Sequence, residues 1–385
     1  MTSTWNYPTT ILFGPGRIAE LADACRRLAI TRPLVVTDPG VEALPMLAEA
    51  LTILADGGRE AAVFSSVRPN PIGRNVEDGV AVYRAGRHDG VVAFGGGSAL
   101  DVGKAVAFMS GQTRPIWDFE DVGDNYLRAD VAGIAPIVAV PTTSGTGSEV
   151  GRASVITDEA AHAKKIIFHP LMQPRVALCD PELTLGLPAH ITAATGMDAL
   201  AHSLEAYCGT AFHPMADGIA LEGMRLVHES LARAVEHGGD IDARSKMMAA
   251  AAMGATAFQK ALGAIHSLSH PLGAHYDLHH GLLNGVVMPY VLEHNRLAIE
   301  EKMVRLAAYL DLGQVGFDDV LAWIIELRRT IGIPHTLGEL GVDESKLDEL
   351  VPLALADPST PGNPVELTEA SVRRLFEAAI RGEMA

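Results

Sequence analysis

An α/β domain followed by an all-helical domain is the fold class that this sequence predicts, because its two halves differ in pattern. Up to about residue 180, short runs of β-branched residues alternate with helical segments. From Leu187 onward, long segments rich in Ala, Leu, Met and Glu take over. The first pattern predicts βαβ crossovers and a parallel sheet, and the second predicts helices throughout.

Three apolar runs mark strands of the predicted sheet. They cover residues 33–37, 90–94 and 134–140, and each is continuous and bounded by Asp, Gly or Pro. Runs of this kind are typical of strands covered on both faces. Helical segments at 73–86 and 98–109 lie between them, as βαβ connections require.

The chain length also favours two domains. Its 385 residues exceed the roughly 250 to 300 that one hydrophobic core usually serves. A turn-rich link over residues 180–188 separates the two patterns. We therefore predict a first domain over residues 1–184 and a second over residues 185–385.

Composition excludes several function classes. The net charge of −17, without a dense Lys/Arg block, predicts no binding to nucleic acid or to anionic membranes. Cys25, Cys179 and Cys208 are scattered, which argues against a disulfide framework and against a thiolate metal site. The first ten residues lack a secretory pattern, and no apolar stretch reaches the ~18 residues that span a bilayer. We expect a cytoplasmic enzyme.

Two loops at the ends of predicted strands have the character of phosphate sites. Gly95–Ser98 follows one strand and begins a helix. Its glycines, Gly96 among them, allow a close backbone approach, and the helix start offers N–H groups to an anion. Residues 141–149 follow the next strand with several hydroxyls. Together the loops predict a dinucleotide site, although Gly95–Ser98 alone is also compatible with a plain tight turn.

Asp38 ends the strand at 33–37 and is a candidate for the cofactor ribose. A carboxylate there can accept hydrogen bonds from a 2′-hydroxyl and would repel a 2′-phosphate, which favours NAD over NADP. Unlike in the familiar dinucleotide fingerprint, this acid precedes the glycines. The alternative is that Asp38 only caps the turn at Pro39-Gly40.

The helical half contains a candidate metal site. Asp198 and His202 are four residues apart, which places both on one helix face, although a hydrogen-bonded core pair would have the same spacing. Residues 266–280 hold five of the 15 histidines. His266 and His270 repeat the spacing of four, and Pro271 predicts that the helix ends there. Nitrogen and oxygen donors without a thiolate favour Fe(II) or Zn(II). Spacing alone does not rank the histidines after His266.

Five motifs carry a resemblance to a known family. They are G-G-G-S at 95–98, P-T-T-S-G-T-G-S-E at 141–149, G-M-D-A-L-A-H at 196–202, H-S-L-S-H-P-L-G at 266–273 and H-G at 280–281. In these motifs, across essentially its whole length, the chain resembles the iron-containing (group III) alcohol dehydrogenases. The resemblance implies a dehydroquinate synthase-like fold, with an N-terminal NAD-binding domain, a C-terminal metal-binding domain, and dimers or larger homo-oligomers.

The resemblance also implies roles for individual residues. The implied metal ligands are Asp198, His202, His266 and His280. His270 would relay the hydroxyl proton, or alternatively would orient a ligand. Besides Gly96 and Asp38, the implied cofactor contacts are Gly97, Ser98, Thr142, Thr143, Thr146, Lys165 and Leu183. Lys165 could instead be a solvated surface lysine.

The expected reaction interconverts a small primary alcohol, a diol or an ω-hydroxy acid with its aldehyde, using NAD(H) and Fe(II), or Zn(II). The F-Q-K at 258–260 resembles the branch that includes 4-hydroxybutyrate dehydrogenases. Phe258 would then line an apolar pocket, and Lys260 or Arg152 would receive a substrate carboxylate. The alternatives are core packing for Phe258 and a surface or ion-pair role for the two cations.

Two other function classes remain as alternatives. A metal- and NAD-dependent lyase, as in 3-dehydroquinate synthases, would need polar and basic residues for a phosphorylated substrate. Residues 281–288, which follow His280, are instead largely apolar. A non-catalytic structural module would have no need for the complete set of candidate ligands, so the oxidoreductase is the favoured interpretation.

Overall fold

The computed structural model describes residues 5–7, 9–161, 163–313 and 316–384. Two compact units share the chain. One contains Tyr7–Leu185, and the other contains Met1–Asn6 and Gly186–Ala385. Within the described residues, no helix combines the length and the apolar character needed to cross a bilayer.

The first unit is built on a six-stranded parallel sheet. Its strands are β1 (Thr10–Phe13), β2 (Pro33–Val36), β3 (Ala62–Phe64), β4 (Gly90–Gly95), β5 (Ile137–Pro141) and β8 (Val176–Cys179), while β6 (Ala153–Asp158) and β7 (Ala163–Phe168) form a separate hairpin. The order across the sheet is β1-β8-β5-β4-β2-β3. Every residue of β2, β4 and β5 is buried, which confirms the strands predicted from the three apolar runs.

Strand register brings the two predicted loops to one edge of the sheet. Val91 of β4 lies opposite Ile137 of β5, and the pairing runs to Gly95 opposite Pro141. The loops that follow β4 and β5 therefore start side by side.

The helices of this unit are α1 (Leu21–Arg27), α2 (Pro39–Glu42), α3 (Pro45–Asp56), α4 (Gly73–Ala85) and α5 (Gly97–Met109).

An antiparallel hairpin adds to the predicted parallel topology. Strand β6 (Ala153–Asp158) pairs with β7 (Ala163–Phe168), with Ile156 opposite Lys165. Both strands are only partly buried. They lack the continuous apolar character of the sheet strands, so the search for fully buried strands missed them.

Helices and connecting loops, without a strand, make up the described residues of the second unit. Its α-helices are α6 (Ala189–Cys208), α7 (Pro214–Glu236), α8 (Ile241–Ala257), α9 (Ala264–Tyr276), α10 (His280–Tyr309), α11 (Phe317–Thr330), α12 (Leu347–Ala356) and α13 (Glu369–Arg381). Helix α6 is buried at every position from Thr192 to Cys208. Its neighbours pack closely, since a Cβ on Gly196 would lie 2.1 Å from a methyl carbon of Leu231.

The predicted end of a helix at His270 is wrong. Helix α9 continues through Pro271 to Tyr276. A proline inside a helix removes one backbone donor and crowds the preceding turn. Leu268 and Leu272, on either side of it, are completely buried in the apolar core of the unit. We infer that this packing outweighs the local cost and keeps the helix continuous.

Candidate active site

Three helices of the second unit bring the four predicted ligands together. Helix α6 supplies Asp198 and His202, α9 supplies His266, and α10 begins with His280. Oδ1 of Asp198 lies 3.6 Å from Nε2 of His202, 3.9 Å from Nε2 of His266 and 3.6 Å from Nε2 of His280. Asp198, His202 and His266 are buried and can point one ligand atom each into a common volume.

These distances fit a metal site better than a hydrogen-bonded cluster. All three exceed the 2.7–3.2 Å of ordinary N–H···O hydrogen bonds. Two ligands about 2.1 Å from a tetrahedral ion would lie about 3.4 Å apart. Three imidazole nitrogens and one carboxylate oxygen form the N/O donor set that suits Fe(II) or Zn(II).

Glu205 orients the His266 side chain. Its Oε2 accepts a hydrogen bond from Nδ1 of His266 at 2.5 Å, and its Oε1 accepts one from the backbone N–H of Ile265 at 2.6 Å. Burial alone would lower the pKa of His266, but the charge and hydrogen bond of Glu205, with Asp198 and Asp357, raise it above its ordinary value. With Nδ1 occupied, Nε2 of His266 is the atom presented to Asp198.

Asn284 holds the Asp198 carboxylate. It lies one turn beyond His280 on α10 and is completely buried. Its side-chain amide donates to Oδ1 of Asp198 at 2.8 Å, and the same nitrogen is 3.2 Å from Nε2 of His280. Asn284 therefore fixes a carboxylate and borders a histidine of the same cluster.

His270 lies beside the four candidate ligands and is hydrogen-bonded to a carboxylate. Its ring stacks on that of His280, with centroids 5.2 Å apart and planes 16° apart. Its Nδ1 donates to Oδ2 of Asp357 at 2.7 Å. Burial would raise the pKa of Asp357, but the charge and hydrogen bond of His270 and the backbone N–H of Ser359 lower it below its usual range.

The two glycine- and threonine-rich loops of the first unit contact each other. Gly95 has φ 146°, which favours glycine, and its carbonyl accepts a hydrogen bond from the N–H of Thr142 at 3.0 Å. A Cβ on Gly97 would lie 2.5 Å from Cγ2 of Thr146, and one on Gly96 would lie 3.3 Å from Cγ2 of Thr143. Helix α5 begins at Gly97, so its first N–H groups are presented beside the threonines.

Asp101, in the first turns of α5, connects these two loops through hydrogen bonds. Its Oδ1 accepts a hydrogen bond from the Ser148 hydroxyl at 2.6 Å, and its Oδ2 accepts one from the N–H of Val155 at 2.9 Å. Lys104 lies 3.2 Å from Oδ1. The two hydrogen bonds of Asp101, whose charge is paired with the buried Lys104, fix the second loop and the start of β6 to the helix that follows the first loop.

Family models match almost the whole chain. The iron-containing alcohol dehydrogenase model matches residues 8–181, and the C-terminal model of the Fe-containing alcohol dehydrogenase family matches residues 192–380. The chain belongs to the iron-containing alcohol dehydrogenase family. This confirms the resemblance carried by the five motifs, and with it an oxidoreductase of the alcohol dehydrogenase class.

Individual relatives match this iron-containing alcohol dehydrogenase over nearly its full length. A 4-hydroxybutyrate dehydrogenase of Cupriavidus necator is 40% identical, over 97% of this chain and 99% of its own. An NAD-dependent methanol dehydrogenase of Bacillus methanolicus is 34% identical, over 99% of this chain and 100% of its own. The crystal structure of a 1,3-propanediol oxidoreductase superposes with a TM-score of 0.93 at 34% identity, covering 98% of this chain and 100% of that one.

Phe258 and Lys260 of this alcohol dehydrogenase differ in where their side chains lie. The half-buried Phe258 ring lies 5.1 Å from the His202 ring, beside the candidate metal ligands. Nζ of Lys260 lies 2.6 Å from Oδ1 of Asp217 and donates to the carbonyl of Tyr207 at 3.3 Å. The buried Lys260 is thus engaged in an ion pair with the partly exposed Asp217, the alternative that the sequence left open.

Asp38 and Ser98 make local contacts at the predicted cofactor edge. Oδ1 of Asp38 accepts hydrogen bonds from the N–H groups of Gly40 at 2.9 Å and Val41 at 3.0 Å, so it does cap the short helix α2. Its Oδ2 lies beside Gly95, 3.3 Å from where a Cβ would stand. The hydroxyl of Ser98 donates to the carbonyl of Pro69. Capping uses only Oδ1, so it does not conflict with the predicted ribose contact, which Oδ2 could make.

The remaining candidates of the first unit are engaged with protein partners. Nζ of Lys165 lies 3.3 Å from Glu120 and 3.2 Å from Asp158. Leu183 is buried in an apolar core cluster. Arg152 lies over the ring of Phe168, and burial lowers its pKa against the opposing charge of Asp121. These contacts give the three residues structural roles and do not themselves support ligand contacts.

Sequence reasoning missed Glu205, Asn284 and Asp357. Glu205 follows Asp198 by seven residues, and Asn284 follows His280 by four. Both spacings place side chains on the same helix face, so a search for polar residues around the ligands would have found them. Asp357 lies 87 residues from His270, and no spacing rule connects the two.

Proposed function

We propose that this chain interconverts a small primary alcohol and its aldehyde with NAD(H), and that Asp198, His202, His266 and His280 hold one divalent metal ion. Iron is the favoured metal because of the family, with zinc as the alternative. The observation that carries the proposal is the convergence of three imidazoles on one carboxylate oxygen at 3.6–3.9 Å.

When bound, the metal supplies Lewis acidity toward the substrate oxygen, and NAD supplies the hydride acceptor. The chain's own residues hold and orient these groups and move the proton. Glu205 and Asn284 fix the directions of His266 and Asp198. His270 keeps a proton on Nδ1 toward Asp357, so its Nε2 is the atom that accepts the hydroxyl proton.

The first unit would bind NAD through the loops after β4 and β5. The support for this proposal is the close contact of Gly97 with Thr146 and the partly exposed start of α5 beside these loops. Asp38 would accept the ribose 2′-hydroxyl through Oδ2. An NAD-dependent relative at 34% identity adds support. We accordingly propose the first unit (Tyr7–Leu185), close to the predicted residues 1–184, as the NAD-binding domain, and the second unit, close to the predicted residues 185–385, as the metal-binding catalytic domain, in a homo-oligomer.

The substrate is proposed at the level of a short primary alcohol or diol, with an ω-hydroxy acid as the second candidate. Relatives named for methanol and 1,3-propanediol support the first, and the relative named for 4-hydroxybutyrate, at 40% identity, supports the second. Phe258 beside His202 would provide an apolar wall for a short carbon chain. The Lys260–Asp217 pair leaves Lys260 less suited to receive a substrate carboxylate.

A substrate panel tests the proposal. The metal-free protein is reconstituted with Fe(II) or, separately, Zn(II), and NADH formation is followed with methanol, longer primary alcohols, 1,3-propanediol and 4-hydroxybutyrate. We expect metal-dependent NADH formation, stoichiometric with aldehyde. Turnover of a substrate without net NADH would favour the lyase class, and absence of metal-dependent turnover would favour a non-catalytic module. His266→Ala is the inactive control.

A further inference from the structure

A loop near the C-terminus contacts helix α9 at regular intervals. We call residues 357–363 the clasp segment. Asp357 accepts the Nδ1 hydrogen bond of His270 at 2.7 Å, and the hydroxyl oxygens of Thr360 and Ser267 lie 2.8 Å apart. Oδ1 of Asn363 accepts the backbone N–H of Ala264 at 3.2 Å. Every third residue of the clasp segment therefore contacts every third residue of α9, and the two segments run in opposite directions.

The clasp segment is itself firmly held. The Thr360 hydroxyl donates its single proton to the carbonyl of Ala354 at 2.7 Å. The amides of Asn363 and Asn295 exchange two hydrogen bonds, each of 2.9 Å. Asp357, Asn363 and Asn295 are all buried. Buried and fully engaged polar groups have few alternative arrangements, so the carboxylate of Asp357 has a fixed position beneath His270.

Both oxygens of Asp357 accept from donors. Oδ1 accepts the backbone N–H of Ser359 at 2.8 Å, and that group can only donate. Oδ2 then faces Nδ1 of His270, and an ionised carboxylate can only accept. The proton of the neutral imidazole is therefore placed on Nδ1, which leaves the Nε2 lone pair for another partner.

We propose that Asp357 is a positioning residue for the reaction: it selects the Nδ1–H tautomer of His270 and fixes the plane of its ring, so that Nε2 is held as a proton acceptor. This inference rests on the function proposed above. It assigns the clasp segment, some 90 residues away along the chain, a part in the proton transfer. Asp357 acts only through His270 and touches no reacting atom.

Asp357→Asn tests the tautomer directly. The substitution replaces one carboxylate oxygen by an NH₂ group, which is a donor. An NH₂ group facing the N–H of Ser359 would place two donors against each other. The amide oxygen is therefore drawn to Ser359, and the NH₂ is turned toward Nδ1, which moves the imidazole proton to Nε2. We expect kcat to fall by about 10- to 100-fold, with KM and metal content unchanged.

Two further variants separate positioning from a general loss of structure. Asp357→Asn in a His270→Ala background should lower kcat no further, because the residue it acts through is already gone. Asp343→Asn is the matched control, since Oδ1 of Asp343 accepts the N–H of Ser345 at 2.9 Å in the same kind of turn. We expect this control to have wild-type kcat. Equal losses in both backgrounds, or an unchanged kcat in Asp357→Asn, would overturn the proposal.

Nuclear magnetic resonance provides a readout that does not need turnover. Long-range ¹H–¹⁵N correlations of ¹⁵N-histidine-labelled protein, with and without Zn(II), report which ring nitrogen carries the proton. The His270 signals are assigned as those lost in His270→Ala. We expect the Nδ1–H tautomer in the wild type, and the Nε2–H tautomer there would overturn the proposal even if Asp357→Asn does not fold. A wild type that is inactive on every substrate would contradict the proposed function but leave this readout intact.

Discussion

Glu205 contacts His266 through one oxygen and the backbone of the preceding residue through the other, at 2.5 and 2.6 Å. It therefore fixes both the ring and the start of the helix that carries it. Glu205→Gln retains the size of the side chain but removes the negative charge that favours the Nδ1–H form of His266. We expect metal affinity to fall by about 10- to 100-fold, measured by competition with a chromophoric chelator.

Glu236→Gln is the control for this substitution. Glu236 is an exposed glutamate 3.9 Å from Nε2 of His237, so the same chemical change occurs beside a histidine far less buried than His266. We expect its metal affinity to equal that of the wild type. If Glu205→Gln also retains full affinity, the carboxylate does not support the ligand.

The choice of His280 over its neighbours can be tested with a pair of variants. Nε2 of His280 lies 3.6 Å from Asp198, whereas His275 contacts the Pro271 carbonyl through Nδ1 at 3.1 Å and lies 3.5 Å from Glu349 through Nε2. Elemental analysis of His280→Ala should show loss of the metal. His275→Ala should retain it. The reverse result would remove His280 from the ligand set.

The sequence predicted those parts of the molecule that depend on local pattern. Strands β2, β4 and β5 follow from continuous apolar runs, and Asp198 and His202 follow from helical spacing. The hairpin of β6 and β7 was missed because its strands are only half-buried.

Contacts that arise only from tertiary packing could not be predicted in this way. No local rule joins Asp357 to His270, and none pairs Lys260 with Asp217. Pro271 indicated the end of a helix, but the burial of its neighbours keeps α9 continuous. The ranking of His280 above His275 came from family resemblance, since both lie in the same short histidine-rich segment.

Asp38 offers a test of cofactor preference that leaves the fold intact. Because Asn caps helices about as well as Asp, Asp38→Asn should retain the hydrogen bonds to Gly40 and Val41 while removing the charge. We expect the ratio of kcat/KM for NAD to that for NADP to decrease, because a 2′-phosphate is no longer repelled. Asp38→Gly removes the cap as well as the charge, so we expect it to have a lower thermal stability than Asp38→Asn. This difference separates the capping role from the role in cofactor preference. An unchanged ratio in Asp38→Asn would restrict Asp38 to the capping role.

Glu149 makes the stability of the first unit depend on pH. It is 2% exposed, and burial raises its pKa from 4.5 to about 7, against the opposing effects of its own backbone N–H and of Lys104. The folded state therefore holds this proton more tightly than the unfolded state does. The resulting stabilisation is complete below pH 4.5 and is lost as the pH rises through about 7.

Glu149→Gln removes this dependence because the amide does not ionise. At pH 5 the variant and the wild type should differ little in their free energies of unfolding. At pH 8 the variant should be more stable by on the order of 3 kcal/mol, since one pKa unit corresponds to about 1.4 kcal/mol. Urea denaturation at both pH values measures the difference. Glu159→Gln, at an exposed site of the same unit, is the control, and an equal gain at pH 8 in that variant would show that burial of Glu149 is not the cause.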